Sequence, residues 1–272
     1  MPNALLTLSE IYIYPIKSLG GIPLDRAKVL GKGLQWDRRW MLVDQTGVFL
    51  TQRIHPEMAL FKLEMEDDHI SITFRKGEKI HPSTSFNIGT PDSDKCMVAK
   101  IWDDEVNVIE VDPKINQWFS QHLGMSCKLV SFPEEKSRPV DSRYKVNHEQ
   151  VSLADAYPFL IIGQSSLDDL NARLPQPLPM NRFRPNFVFT GGDPYEEDHW
   201  KNLSIGKNRF VAVKKSARCA LTTVNQDTGE TGPEPLRTLS GYRKVDNKIF
   251  FGQNLVALNE EEVAVGDTII PY

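Results

Sequence analysis

Short runs in which apolar and polar residues alternate dominate this chain, so it reads as a series of strands rather than a bundle of helices. Residues 6–14 alternate, are rich in β-branched and aromatic types, and are ended by Pro15. The loop that follows, Ile16-Lys17-Ser18-Leu19-Gly20-Gly21, carries two glycines that read as flexible. Arg38 and Arg39 lead into a strand at 40–43, Gln45-Thr46-Gly47 reads as its hairpin turn, and 48–53 as the return. Further strands are expected at 59–66, 69–74, 98–102 and 105–111. One helix has both ends marked: Asp112 suits the N-cap, Pro113 the first helical position, and Gly124 the left-handed position past the end. On it Ile115, Trp118, Phe119, His122 and Leu123 recur at helical spacing, which makes Trp118 and His122 packing and helix-end residues.

A strand at 127–132 and a polar, charged loop at 133–150 come next, and the boundary between two halves is placed near Met125. Residues 157–162 read as a buried strand, and Ser165-Ser166-Leu167-Asp168 as a capping box that opens a helix. Pro175, Pro177 and Pro179 make a stiff connector after that helix. Strands are expected at 187–190, 200–205, 210–213, 248–258 and 262–270, an extended segment at 220–224 and a short helix at 235–242. Strands at such short spacing favour a barrel or sandwich over a doubly wound sheet.

Composition narrows the function classes. The 272 residues suffice for one large domain or two modest ones. A net charge of −4 gives no reason to expect nucleic acid or an anionic membrane as partner. No apolar run approaches the ~20 residues of a membrane-spanning helix. The first residues show neither a signal peptide nor an arginine-rich transit sequence. Cys96, Cys127 and Cys219 are odd in number and far apart, against a disulfide framework and too few for a four-cysteine iron–sulfur site. A reducing, cytoplasmic setting is the expectation. The six histidines are scattered without the helical spacing of a zinc site, and no glycine pattern of a nucleotide-binding loop occurs.

The candidate chemistry centres on Cys219, preceded by Lys214, Lys215 and Arg218 and followed by the turn signal Asp227-Thr228-Gly229. Cations close to a thiol favour the thiolate, the form that binds metals. Three more polar clusters stand at strand ends: Lys17 with Ser18, Arg38 with Arg39, and Arg182-Phe183-Arg184-Pro185-Asn186. Two readings stay open on the residues alone. Each cluster is ordinary solvated charge, and Cys219 a small buried hydrophobe. Alternatively, the clusters converge on an anionic organic cofactor whose metal takes the thiolate, with forked guanidinium groups on a phosphate.

The motifs YPIKSLGG, WDRRWMLVD, FLTQR, IWDDEV, PFLIIGQSSLDDLNARL, NRFRPNFVFTGG, SARCALTTVNQDTG and FGQNL together resemble one family, in its order, from residue 12 to residue 254. The chain is similar to MOSC-domain proteins with an N-terminal MOSC-type β-barrel domain, the group of the mitochondrial amidoxime-reducing component and its bacterial relatives. The resemblance implies a mainly β fold with a few helices (α+β), divided into an N-terminal β-barrel domain over 1–125 and a MOSC domain over 126–272. It implies a molybdenum cofactor, molybdenum on a pyranopterin dithiolene, with Cys219 as protein ligand and catalytic centre. Lys17, Ser18 and Arg38 are then expected on the pterin or its phosphate, Arg184 and Asn186 on the other side, and Ser216 and Arg218 beside the ligand. Arg39 stands where relatives commonly carry an aromatic residue, so either arginine of that pair is open as the one facing the cofactor. Asp155, Ser165 and Ser166 match less sharply, as pocket residues. Pyridoxal phosphate binding is a secondary association of the family.

The activity implied is reduction of small N-hydroxylated compounds. Electrons would come from a separate ferredoxin-, flavodoxin- or cytochrome-type protein, since neither an N-terminal anchor nor an appended iron–sulfur domain is expected. The alternative is a sulfur-carrier or cofactor-handling protein with a persulfide on Cys219.

Overall fold

The computed structural model describes residues 5–89, 94–136, 138–140 and 149–272. Half of the loop expected at 133–150, His148 included, lies outside the described residues. The fold is mainly β with a few helices, as the alternation requires.

The largest sheet runs in the order Ile22–Leu24, Thr7–Ile13, Phe187–Thr190, Phe159–Gly163, Lys248–Ala257, Asn208–Arg218, Asn202–Ile205, Ile269–Pro271. All its pairs are antiparallel except Phe159–Gly163 with Phe187–Thr190, and the chain between those two holds the crossover helix Gln164–Asn171 that a parallel pair needs. Phe159, Phe187 and Phe210 fill the core beneath it, with ring centroids 5.4–5.7 Å apart. Burying side chains of this size contributes about 2–3 kcal/mol each. A second sheet is ordered Cys96–Ile101, Asp104–Glu110, Cys127–Ser131, Trp40–Asp44, and a third pairs Phe61–Glu66 with His69–Lys76. The helix Pro113–Leu123 has the ends the sequence marked: Asp112 accepts from the Lys114 N–H at 2.8 Å, and Gly124 takes φ 66°. Its buried Phe119 meets Phe61 at 5.1 Å.

Two pairings reach across residue 125. Thr7–Ile13 is a strand of the sheet otherwise built from residues beyond 150, save its neighbour Ile22–Leu24. Cys127–Ser131 pairs with Trp40–Asp44.

Several local expectations change. The return at 48–53 is no strand: Leu50 N–H bonds back to Leu42 at 2.8 Å, but Phe49 N–H turns to Lys100 at 3.0 Å. Claimed by two neighbours, the segment leaves the sheet and turns at Thr51. Residues 220–223 are not extended but form a 3-10 turn, closed by the Thr222 N–H to the Cys219 carbonyl at 3.1 Å. Ser165 and Ser166 do not cap the helix, because Gly163 holds that position; the Ser166 hydroxyl is buried and donates to Glu197 at 3.0 Å instead. Gly20 and Gly21 serve closeness rather than flexibility. A Cβ on Gly20 would stand 2.9 Å from the Phe61 carbonyl oxygen, and one on Gly21 would stand 2.6 Å from the Tyr14 ring.

Candidate functional site

Strand Asn208–Arg218 carries two register shifts against Lys248–Ala257, between Ala212 and Lys214 and between Lys215 and Ala217. Bulges of this kind re-aim side chains near sites. They turn the strand's last residues toward a cleft of about 260 Å³, and Cys219 follows immediately, half-buried in its wall. Lys17, Ser18, Arg38, Arg184, Asn186, Ser216 and Arg218 line the same cleft. Residues from four separate stretches of sequence thus meet in one place. Asp155 lines it too, whereas Ser165 and Ser166 do not.

Ser18, Arg38 and Arg184 all have positive φ, at 66°, 51° and 56°. Left-handed backbone in residues other than glycine costs about 1–3 kcal/mol each and gathers where function demands it. The Tyr14 ring explains how two of them are held. Arg38 lies over it at 4.3 Å and Arg184 at 4.2 Å. The Tyr14 hydroxyl donates to Pro185 O at 3.1 Å, and burial pushes its pKa up to about 12. Arg184 also donates to the Leu19 carbonyl at 2.6 Å.

The arginine pair resolves into two roles. Arg38 faces the cleft, bonded to Asp37 at 2.5 Å. Arg39 turns away into the protein, where it is 2% exposed and bonds Glu134 and the Asp37 carbonyl. Arg182 and Arg184 divide likewise, since the Arg182 Nε donates to Thr222 O at 2.9 Å and fixes the turn after Cys219.

Some site residues are already engaged by the protein. Lys17 Nζ is buried and donates to Leu153 O at 2.9 Å and to the Asp155 carboxylate. Asn186 bridges two strands, donating to Tyr12 O and accepting from Leu160 N–H, both at 3.2 Å. Ser216 accepts from Arg218 Nη1 at 3.0 Å.

The cation in contact with the thiol is one that local sequence does not indicate. Arg53 donates from Nε to Cys219 Sγ at 3.1 Å, from 166 residues away. Its Nη2 donates to Asp155 at 2.7 Å and Nη1 to Thr51 Oγ1 at 3.2 Å. Its signal was the arginine closing FLTQR, next to a predicted strand end. Burial would raise the Asp155 carboxyl, but Lys17 and Arg53 outweigh it and hold the group well below the usual carboxylate range.

Among the described residues, seven cationic side chains line the cleft (Lys17, Arg38, Arg53, Arg184, Lys214, Lys215 and Arg218) against the single carboxylate of Asp155. Asp37 and Asp198 offset part of this from outside the lining, bonding Arg38 and Lys215. Burial lowers Arg184 to about 10 and Arg218 in the same direction, and Arg218 Nε is buried without a hydrogen-bond partner. Desolvated guanidinium groups around a small cavity favour an anion. Among the described residues no three His, Cys, Asp or Glu side chains gather as a metal site. A metal on Cys219 would need its other donors from a bound cofactor. Thiol, forked donors and charge excess all fit a sulfur-bearing, phosphorylated cofactor.

A β fold that gathers a thiol and an excess of cations, some of them buried, at the end of a bulged strand is the class defined here. The chain belongs to the MOSC family: residues 5–126 match the MOSC N-terminal beta barrel domain and residues 148–270 the MOSC domain. It is 33% identical to mitochondrial amidoxime-reducing component 1 of Mus musculus over 281 residues, 97% of this chain and 81% of that protein. The human protein of that name is 32% identical, with 97% and 82% covered. The molybdenum cofactor sulfurase of Arabidopsis thaliana is 32% identical over 97% of this chain, which spans only 35% of that longer protein. The crystal structure of the YuaD protein from Bacillus subtilis aligns over 97% of this chain and 93% of that one at 9% identity, with a TM-score of 0.42. Among the described residues no helix is long and apolar enough to cross a membrane.

Proposed function

We propose that this protein is a molybdenum-cofactor-dependent reductase of N-hydroxylated compounds, working in the cytoplasm with electrons from a separate ferredoxin-, flavodoxin- or cytochrome-type protein. The observation that carries this reading is the convergence of Cys219 in one cleft with an excess of cationic side chains, of which Lys17 and Arg184 are buried. Similarity to the amidoxime-reducing components over most of both chains supports the reductase assignment over a sulfurase one.

Cys219 Sγ would be the protein's donor to the metal. Arg184, Arg38 and Arg218 would hold the cofactor's anionic part with forked hydrogen bonds. Lys17 and Asn186, engaged within the protein, would shape the wall beside it. When bound, the cofactor supplies the two-electron, oxygen-accepting chemistry, and the protein supplies orientation and electrostatics. Arg53 keeps a guanidinium on the sulfur, and Asp155 holds Arg53 in place from the cleft mouth. The overall change is an N–OH group plus two electrons and two protons giving N–H and water.

Molybdenum and pterin analysis of gently purified protein tests the reading, together with reduction of benzamidoxime by an artificial electron donor. Stoichiometric molybdenum and turnover are expected, both lost in Cys219→Ala and both kept in Cys96→Ala and Cys127→Ala. A Cys219→Ala protein that retains metal and activity overturns the assignment. A persulfide on Cys219 without molybdenum would favour a sulfur carrier.

A further inference from the structure

We propose that Trp102 sets the substrate preference of the cleft, its indole serving as a stacking surface for N-hydroxylated compounds whose N–O group is conjugated to a planar ring. This rests on the reductase reading above.

Ile101 and Asp104 are the last paired residues of the hairpin Cys96–Ile101 and Asp104–Glu110, so Trp102 takes the first position of a two-residue turn. Its φ is 56°. Glycine or asparagine suits such a position, and a bulky residue there is an outlier. The backbone gains nothing from tryptophan, so the reason lies in where the indole goes. Its Nε1 donates to Asp155 at 3.1 Å. The Arg53 guanidinium lies 4.9 Å from its ring centre, and Phe49 packs against it at 4.9 Å with the planes 61° apart. Arg53 is the same side chain that donates to Cys219 Sγ, so the indole stands one contact from the thiol, against two residues of the cleft lining, Arg53 and Asp155. Even with these contacts Trp102 stays 43% exposed.

The hairpin tip is held rigidly. Asp104 accepts from Arg138 Nε at 2.6 Å, and Arg138 Nη1 donates to Ser152 O at 3.1 Å and Ala154 O at 2.8 Å, just before Asp155. Lys100 N–H bonds Gly47 O at 2.8 Å. An aromatic surface fixed before its ligand arrives loses little freedom on binding. A ring-bearing substrate gains a stacking contact there, and a small acyclic one gains none.

The test compares benzamidoxime with acetamidoxime on molybdenum-loaded protein. Trp102→Ala is expected to lower kcat/KM for benzamidoxime about tenfold, mainly through KM, and to leave acetamidoxime within about twofold. Trp102→Phe, which keeps a ring, should stay within about threefold for benzamidoxime. Molybdenum content should match wild type in both variants. Calorimetry with benzamide, a neutral analogue without the N–O bond, should show its affinity falling about tenfold in Trp102→Ala. Equal losses on the two oximes, unchanged benzamide affinity, or metal loss in Trp102→Ala would each overturn the assignment. If the wild type binds benzamide in a Trp102-dependent way yet reduces neither oxime, the reductase reading fails while the stacking role stands.

Discussion

Two places in this molecule bury cations close together, and they differ in what balances them. Outside the cleft lining, Arg39 and Lys32 share the carboxylate of Glu134, and the carbonyls of Pro133, Glu134 and Lys136 complete Lys32 at 2.6–3.4 Å. One Arg39 nitrogen, Nη2, stays unpaired, but Arg39 does not line the cleft. In the cleft, by contrast, Arg184 and Arg218 rest on carbonyls and an aromatic face, and the lining offers one carboxylate among seven cations. A cation the protein neutralises itself is part of the scaffold. A desolvated one left facing a cavity is a request for an anion.

The largest effect that would sharpen this contrast comes from removing one arginine of each kind. Arg39→Ala should destabilise the protein by about 3 kcal/mol, because it strips the packing of a buried side chain and breaks its pair with half-exposed Glu134. Arg184→Ala should cost at most about 1 kcal/mol while weakening cofactor retention. Denaturant titration and metal content measure the two, and equal behaviour would erase the distinction.

The carboxylates give a smaller, pH-dependent effect. In both Glu134 and Asp155, burial acts to raise the pKa and neighbouring cations overcome it, so the folded values lie below the unfolded ones. The stability they confer is therefore full at neutral pH and lost as pH falls below the ordinary carboxylate range. Glu134→Gln and Asp155→Asn should each flatten the acid limb of a stability–pH curve. Only Asp155→Asn should also tighten phosphate binding, since it removes the one carboxylate in the cleft lining.

The smallest effect concerns inorganic phosphate itself. At about ten times its dissociation constant it should stabilise cofactor-free protein by about 1.4 kcal/mol, a rise in Tm of roughly 2.5 °C. The shift should vanish in Arg184→Ala and persist in Arg39→Ala. Persistence in both would mean that the anion sits elsewhere.

Much of this was legible from sequence where the signal was local. Alternation placed most strands, and Asp112, Pro113 and Gly124 marked both ends of a helix. The family motifs pointed to eight side chains that do line one cleft. What stayed hidden depended on tertiary context. Arg53 meets Cys219 through a fold that brings the ends of FLTQR and SARC together, and nothing near either says so. Which of Arg38 and Arg39 faces the cleft follows from a left-handed turn at Arg38. The capping-box signal at Ser165 and Ser166 failed because Glu197 captures the hydroxyl of Ser166. Trp102 reads from sequence only as the end of the strand expected at 98–102, since its contacts with Arg53 and Asp155 are tertiary.

The pairing of Thr7–Ile13 with Phe187–Thr190 has a consequence for biosynthesis. At about 5–20 residues per second, the first strand leaves the ribosome well before its partner exists. With Ile22–Leu24 on one side only, it must wait with its other edge open, the sort of segment that recruits chaperones or pairs wrongly. Slowed elongation ahead of residue 187 should therefore lower soluble yield more than the same delay placed after residue 190. The open edge of Thr7–Ile13 is thus exposed to misassembly for as long as residues 14–186 take to be made.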